Sequence, residues 1–257
     1  MIFGKGPSNL MTDNPRPAQA LKQRLGSWVL RRLGISRHVF NHVRLEMNGI
    51  LFRAALRLHP GYRLRIRRLR QERNLLVNIG CGPFGLPGWV NLDFCRHPQV
   101  TLRTDCRRSL PLAAGSCRGI HVEHFLEHLD PLEELSVFLA DARRCLAPGG
   151  VLRIIVPDAQ RYIEAYRAPG WTLLDEMGCG GEPPQRLFKT KMQALNHVFL
   201  QTWEHYGGWD AETLRLVLQD AGFRDVTQRA WREGDFPGGC IDREQHRPYS
   251  LYFEAKA

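Results

Sequence analysis

From residue 75 onward, short apolar runs alternate with turns and with helical patterns. Five runs of strand length lie at 75–80, 89–93, 100–105, 119–123 and 151–157. Apolar residues at helical spacing predict helices over 131–146 and 211–221, and two further strands follow at 223–231 and 248–256. Asp130 is the expected N-cap of the first helix, with Glu133 completing a capping box, and Asp210 is the expected cap of the second. The alternation predicts an α/β fold with a doubly wound, mostly parallel, Rossmann-like sheet of seven strands.

Residues 1–73 differ from the rest of the chain in charge. They hold 16 Lys and Arg against 3 Asp and Glu, a net charge of +13. Residues 74–257 hold the other 20 Lys and Arg and 23 Asp and Glu, a net charge of −3. Apolar spacing predicts a helix over 21–33 and another over 39–54, ended by Pro60. We expect a basic helical extension that packs on the domain, with peripheral contact to anionic lipid as the alternative. Nucleic-acid binding is disfavoured, because no aromatic stacking platform interleaves the arginines.

Residues 74–257 form the predicted main domain, and residues 167–202 interrupt it with a poorly periodic segment rich in Gly and Pro. This segment is expected to be a lid or an insertion over a ligand site. Arg243 and Arg247 are expected in a solvated loop.

The seven cysteines include no CxxC pair, which disfavours a disulfide framework and a zinc ribbon. With no signal-peptide pattern and no apolar run of roughly 18 residues, the expected location is the cytoplasm, peripheral to a membrane at most.

The segment 75–93 carries the strongest ligand-binding pattern. Gly80, Gly82 and Gly85 fit GxGxxG directly after a predicted strand, where missing side chains let a ligand approach the backbone. Asp93 ends the next strand, and a carboxylate there can accept hydrogen bonds from both hydroxyls of a ribose. A dinucleotide needs a helix after the glycines to face its pyrophosphate, and only three residues separate Gly85 from the second strand. The pattern therefore favours a nucleoside ligand without a pyrophosphate.

The motifs NIGCG, VNLD, TDCRRSLPL, VEHFLEHL and LAPGGVLRIIVPD occur in this order along the chain. They resemble the motifs of class I S-adenosylmethionine-dependent methyltransferases over about residues 74–166 and again at 203–256. The tight spacing of GCGP, PGW and NLD resembles a compact bacterial group associated with cell-surface polysaccharide genes. The resemblance implies S-adenosylmethionine as cofactor. The cofactor-binding residues that it implies are Gly80, Cys81, Gly82, Asp93, Asp105 and Glu123, with Asp93 at the ribose and Asp105 on the adenine side.

The expected reaction is methyl transfer to a small polar acceptor, such as a hydroxyl of a sugar or glycan intermediate. The protein must align donor and acceptor, exclude water and remove a proton from a hydroxyl acceptor. Histidine has the most suitable unperturbed pKa for that role. His124 and His205 are the candidate catalytic residues.

A competing motif, HxxEH, is formed by His124, Glu127 and His128. On a helix, this spacing places two imidazoles one turn apart as zinc ligands, as in a zinc hydrolase. The motif lies at a predicted strand end, and Asp130 opens a new helix two residues later, so no metal site is expected. A second alternative is a non-catalytic domain of the same fold that binds a nucleoside or a protein partner.

Overall fold

The computed structural model describes residues 32, 34, 36–179, 188–201 and 204–257. The chain divides into two compact units, Met1–Tyr62 and Arg63–Ala257. This division falls eleven residues before the boundary expected from charge and periodicity. The helix predicted over 21–33 lies outside the described residues, apart from Arg32.

The first unit contains the helix α1, Arg37–Leu58. The hydroxyl of Ser36 caps it by accepting a hydrogen bond from the Val39 N–H at 3.2 Å. The helix ends before Pro60, as predicted, and a second helix, α2, covers Pro60–Leu69. Side chains about half exposed along α1 include Val39, Val43, Met47 and Ile50. Within the described part of the chain, no helix combines the length and the apolar character that crossing a bilayer requires.

The second unit is built on a seven-stranded sheet. Its strands are β1 (Leu75–Ile79), β2 (Val90–Asp93), β3 (Leu102–Arg103), β4 (Cys117–Glu123), β5 (Leu146–Pro157), β6 (Arg224–Arg229) and β7 (Ser250–Lys256). The spatial order is β3-β2-β1-β4-β5-β7-β6. Only β7 is antiparallel to its neighbours, β5 and β6. The central strands are buried on both faces, which explains their near-continuous apolar sequence. The predicted fold class is confirmed.

Besides most of α2, the longer helices in the described part of this unit are α3 (Glu134–Cys145), α4 (Ala159–Arg167), α5 (Lys191–Leu200) and α6 (Ala211–Asp220). Asp210 caps α6 through the Thr213 N–H at 2.8 Å, as predicted. The cap predicted for α3 is wrong, because that helix starts three residues later than its pattern suggested. Asp130 accepts instead from the Leu132 N–H within a turn, and the Glu134 carboxylate accepts from the Asp130 N–H at 3.2 Å.

The segment predicted as a lid or insertion contains a helical turn at Thr172–Leu174, a π-helical stretch at Asp175–Cys179 and α5. Together with α4 it forms a separate apolar cluster of Tyr162, Ala165, Leu174, Met177, Cys179, Ala194 and Val198. Tyr249, which precedes β7, packs against this cluster. The segment is therefore anchored on α4, and its role as a lid stays a prediction.

A buried arginine fixes the loop between β6 and β7. Arg153 on β5 has no exposed surface, and it donates to both carboxylate oxygens of Asp242 and to Glu254. It also donates to the carbonyl oxygens of Glu233 and Ala230 at 3.0 and 3.3 Å. Burial alone would raise the pKa of Asp242, but its hydrogen bonds with Arg153 and the charge of Arg153 hold it well below the usual value.

Candidate functional site

The glycine loop leaves the carboxyl end of β1 in a left-handed conformation. Gly80 has φ +68° and Gly82 has φ +51°, a region that non-glycine residues rarely adopt. A Cβ on Gly80 would lie 3.1 Å from the Phe125 ring, whereas a Cβ on Gly82 would have no heavy atom within 4 Å. The backbone of Gly82 is therefore open to a close approach. Cys81 between them is fully buried, and burial, followed by the charge of Asp93, raises the pKa of its thiol to about 12.

Asp93, at the carboxyl end of β2, joins this loop to the sheet. Its Oδ2 accepts from the Gly82 N–H at 2.8 Å, and its Oδ1 accepts from the Cys95 N–H at 2.6 Å. The side chain is buried at 1% exposure. An ionised carboxylate has about four acceptor sites, and these two backbone N–H groups occupy two of them.

The connection from the glycine loop to β2 contains no helix, as predicted. The side chain of Asn91 organises it instead, accepting from the Leu86 N–H at 2.9 Å and donating to the Leu86 carbonyl at 2.8 Å. Gly85 is required here, because a Cβ would lie 2.5 Å from the carbonyl oxygen of Gln99. The loop is therefore held without a helix N-terminus that could face a pyrophosphate.

Asp105 lies just beyond β3 in a buried ionic network. Arg107 donates to both of its oxygens, from Nε at 3.0 Å and from Nη2 at 3.1 Å. The Nη1 of Arg107 lies 3.2 Å from Glu134 at the start of α3. Asp105 thus ties the end of β3 to α3, and its predicted contact with an adenine stays a prediction.

Glu123, at the carboxyl end of β4, is held by the loop before β7. Its Oε1 is 2.8 Å from His246 Nδ1 and accepts from the Arg243 N–H at 3.1 Å. Its Oε2 is 3.2 Å from Arg243 Nε. Burial would raise the pKa of Glu123, but the His246 hydrogen bond and the Arg243 charge lower it.

The expectation of a solvated Arg243 is wrong. Its guanidinium lies 4.4 Å above the ring centroid of Phe84 in the glycine loop, besides pairing with Glu123. It therefore bridges two strand ends. Arg247 agrees better with the expectation, because its side chain is 60% exposed. Sequence reasoning missed His246, which lies in no periodic element and carries no motif.

His124 follows β4 with φ +55°, an unusual conformation for a residue other than glycine. Its Nε2 is 2.8 Å from the Ser250 hydroxyl, and its ring lies 3.9 Å from the His246 ring between centroids. Burial, followed by the positive charges of His246 and Arg243, holds the pKa of His124 well below its usual value. Its imidazole is therefore neutral near pH 7.

The sequence matches a family described as a methyltransferase domain over residues 69–228, more than half of the chain. The chain belongs to this methyltransferase family. The match confirms the predicted enzyme class, an S-adenosylmethionine-dependent methyltransferase, and with it the predicted cofactor. No curated protein matches the sequence significantly. The roles of individual residues stay predictions.

Solved structures similar to this methyltransferase include three enzymes of low sequence identity. An S-adenosylmethionine-dependent methyltransferase from Archaeoglobus fulgidus is 19% identical, covering 81% of this chain and 99% of its own, with a TM-score of 0.43. One from Mesorhizobium loti is 17% identical, covering 79% and 100%, with a TM-score of 0.44. The 1,6-didemethyltoxoflavin-N1-methyltransferase of Burkholderia thailandensis is 14% identical, covering 86% and 90%, with a TM-score of 0.41.

The HxxEH segment of the methyltransferase does not form the helix that a zinc hydrolase requires. Only Leu126–His128 is helical, as a single 3-10 turn. Glu127 lies between the two candidate catalytic histidines: its Oε1 is 3.4 Å from His124 Nδ1, and a carboxylate oxygen lies within 4.8 Å of a ring nitrogen of His205. Burial, followed by the charge of Glu123, raises the pKa of Glu127 to about 8.

Proposed function

We propose that this methyltransferase methylates a hydroxyl of a small polar acceptor, such as a sugar or glycan intermediate. The observation that carries the proposal is the polar wall beside the glycine loop, formed by Glu123, His124, Arg243 and His246. These side chains offer both donors and acceptors to a hydroxyl-rich molecule. The resemblance to enzymes associated with cell-surface polysaccharide genes supports the same acceptor class.

The glycine loop and Asp93 are the proposed cofactor site. Gly82 offers an open backbone, and the buried Asp93 carboxylate retains acceptor capacity for ribose hydroxyls. Gly80 and Cys81 shape the loop. Asp105 and Glu123 are proposed to line the cofactor site on either side of it. Bound S-adenosylmethionine supplies a methyl group already activated by its sulfonium. The residues of the chain then need to hold the acceptor in line and exclude water.

His124 is the proposed base that takes the proton of the acceptor hydroxyl. It is neutral near pH 7 and therefore able to accept a proton. Ser250 Oγ and Glu127 Oε1 lie 2.8 and 3.4 Å from its two ring nitrogens, so in this proposal the acceptor hydroxyl takes the place of the Ser250 hydroxyl at Nε2. His205 stays a prediction as a base, and its surroundings suit a different role described below.

The basic extension is proposed to contact anionic lipid at a membrane surface. Its charge and the half-exposed apolar side chains along α1 support this, because such helices bind lipid through both features. An acceptor on a lipid carrier would be concentrated by the same contact.

Calorimetry with S-adenosylmethionine and S-adenosylhomocysteine tests the cofactor site. Binding of both is expected, and absence of binding by the purified protein would overturn the site. The acceptor is tested by incubating cell fractions with methyl-labelled cofactor. Label in a glycan or sugar fraction supports the proposal, whereas label confined to protein or nucleic acid contradicts it.

A further inference from the structure

Three side chains that can bind metal converge beside the proposed active site. A carboxylate oxygen of Glu127 and one ring nitrogen each of His128 and His205 all lie within 4.8 Å of one another. Glu127 is 2% exposed and His205 is 8% exposed. Both oxygens of Glu127 and the Nε2 of His205 are buried and have no hydrogen-bond partner among the described residues.

Such a cluster is costly without a further partner. A buried carboxylate without hydrogen bonds loses its hydration and gains nothing in exchange, so only the protonated acid or a carboxylate paired with a cation is stable there. The His124 Nδ1 lies 3.4 Å from Glu127 Oε1 but does not form a hydrogen bond with it. A bound cation would satisfy the Glu127 carboxylate and the His205 Nε2 together.

The backbone orients both imidazoles as metal ligands are oriented. His205 Nδ1 is 2.8 Å from the Val198 carbonyl oxygen, and His128 Nδ1 is 2.9 Å from the Glu204 carbonyl oxygen. Because a carbonyl oxygen only accepts, each neutral ring carries its proton on Nδ1 and its lone pair on Nε2. Metal-binding histidines are usually held by this kind of outer hydrogen bond, which fixes the tautomer and the ring direction.

The two segments that carry the ligands are also joined directly. The Tyr206 N–H donates to the Glu127 carbonyl at 2.9 Å, and the His205 N–H donates to the Leu200 carbonyl at 3.2 Å. The cluster is therefore held by backbone contacts from both sides. Ligand atoms around one ion at about 2.1 Å lie roughly 3–4 Å apart, so small side-chain rotations would close the site.

We propose that Glu127, His128 and His205 bind one divalent transition-metal ion of the zinc type. Two imidazoles and one carboxylate form a donor set that suits zinc, cobalt or iron, whereas magnesium and calcium prefer oxygen ligands alone. Three protein ligands leave coordination positions for water or for an acceptor oxygen. The ion goes beyond the proposed function, because transfer from a sulfonium requires no metal.

The test uses the full chain after dialysis against a chelator, titrated with Co²⁺ as a spectroscopic probe and with Zn²⁺ in competition. One equivalent of Co²⁺ is expected to give visible d–d bands that Zn²⁺ abolishes. Glu127→Gln and His205→Ala should weaken binding by about 100-fold or more, since even outer-shell changes cost 10–100-fold. His197→Ala is the matched control: it removes an imidazole of α5 outside the cluster and should leave binding unchanged.

Several outcomes would overturn the site. They are the absence of stoichiometric binding, a thiolate-to-cobalt charge-transfer band that places the ion on cysteine, equal losses in His197→Ala, or tighter binding of Mg²⁺ than of Zn²⁺. If a variant unfolds, the melting temperature of the wild type decides instead: Zn²⁺ should raise it, and no rise would contradict the site. Cofactor calorimetry on the metal-free protein is a separate measurement, so this site and the proposed function can fail independently.

Discussion

Arg153 and Asp242 form a two-pronged ion pair in which both side chains have no exposed surface. The pair joins the centre of β5 to the loop before β7. The residue that follows Asp242 is Arg243, which pairs with Glu123 and covers Phe84. A structural ion pair thus positions one wall of the proposed active site.

Asp242→Asn is expected to lower the free energy of unfolding by about 3–5 kcal/mol, because it leaves the Arg153 charge buried and only partly compensated. Asp235→Asn is the matched control. Asp235 pairs with Arg229, but its side chain is 71% exposed, and such a pair contributes only about 0–1 kcal/mol. Urea denaturation measures both, and equal losses would contradict the importance of burial.

The Arg153–Asp242 pair should make the free energy of unfolding depend on pH in the acidic range. The pKa of Asp242 is lower in the folded protein than in the unfolded chain, so the unfolded chain binds the proton first. The contribution of ionised Asp242 to the free energy of unfolding is complete above about pH 5. It is lost progressively as the pH falls below the ordinary Asp pKa of about 3.9. The difference in free energy of unfolding between the wild type and Asp242→Asn should therefore shrink by about 1 kcal/mol from pH 7 to pH 3. Parallel pH profiles would sink this prediction.

Asp93→Ala should weaken binding of S-adenosylmethionine by roughly 1.5–3 kcal/mol, if charged hydrogen bonds hold the ribose. Asp210→Ala offers a matched control, because it also removes a carboxylate that accepts a backbone N–H, but at the cap of α6. Calorimetry of both variants, with thermal denaturation to confirm folding, makes the comparison. Unchanged affinity in Asp93→Ala would place the cofactor elsewhere.

His124→Gln should reduce the methyl-transfer rate by about 10²–10⁴-fold with little change in cofactor affinity, since it removes only the proposed base. The wild-type rate should stay level as the pH falls from 8 through 6.5, because the pKa of His124 lies well below its usual value. Both the variant's rate and the pH dependence are measured by single-turnover transfer of labelled methyl to the cell fraction that takes up label. His197→Gln should behave as the wild type, and a rate that halves near pH 6.5 would point to another base.

The thiol of Cys81 should be unreactive although it lies in the glycine loop. With a pKa of about 12, roughly one molecule in 10⁴ carries the thiolate at pH 8, compared with about a quarter for an ordinary cysteine. Iodoacetamide labelling followed by mass spectrometry should leave Cys81 unmodified in the native protein and modified in denaturant. Rapid native labelling would contradict the burial of this loop.

Met47→Glu should weaken binding of the full chain to anionic vesicles by about tenfold, because it removes an apolar contact as well as adding a negative charge. Asn48→Glu is the matched control: its position on α1 is also exposed, and it adds the same charge without removing apolar surface. Vesicle sedimentation compares them. Equal binding by both variants would leave α1 with no apolar contact to the bilayer.

The parts of the site that follow from local sequence were predictable. Gly82 follows β1 and Asp93 ends β2, eleven residues later. The alternation of apolar residues and the glycine spacing were therefore enough to place both at the same edge of the sheet. Glu123 and His246 are 123 residues apart, and the loop that carries His246 has no periodicity. The cluster of Glu127 and His205 depends on a similar long-range contact. Even the start of α3 differed from its pattern: the Asp130 N–H donates to Glu134 and not to Glu133, the expected partner in the capping box.

The position of β7 has a consequence for biosynthesis. This strand lies between β5 and β6, yet it follows every other strand in the sequence. During translation, β5 and β6 have no hydrogen-bonded link to one another until residues 250–256 leave the ribosome. Arg243, His246 and Ser250 arrive with the same stretch. A nascent chain therefore contains its glycine loop long before it contains these residues of the proposed active site.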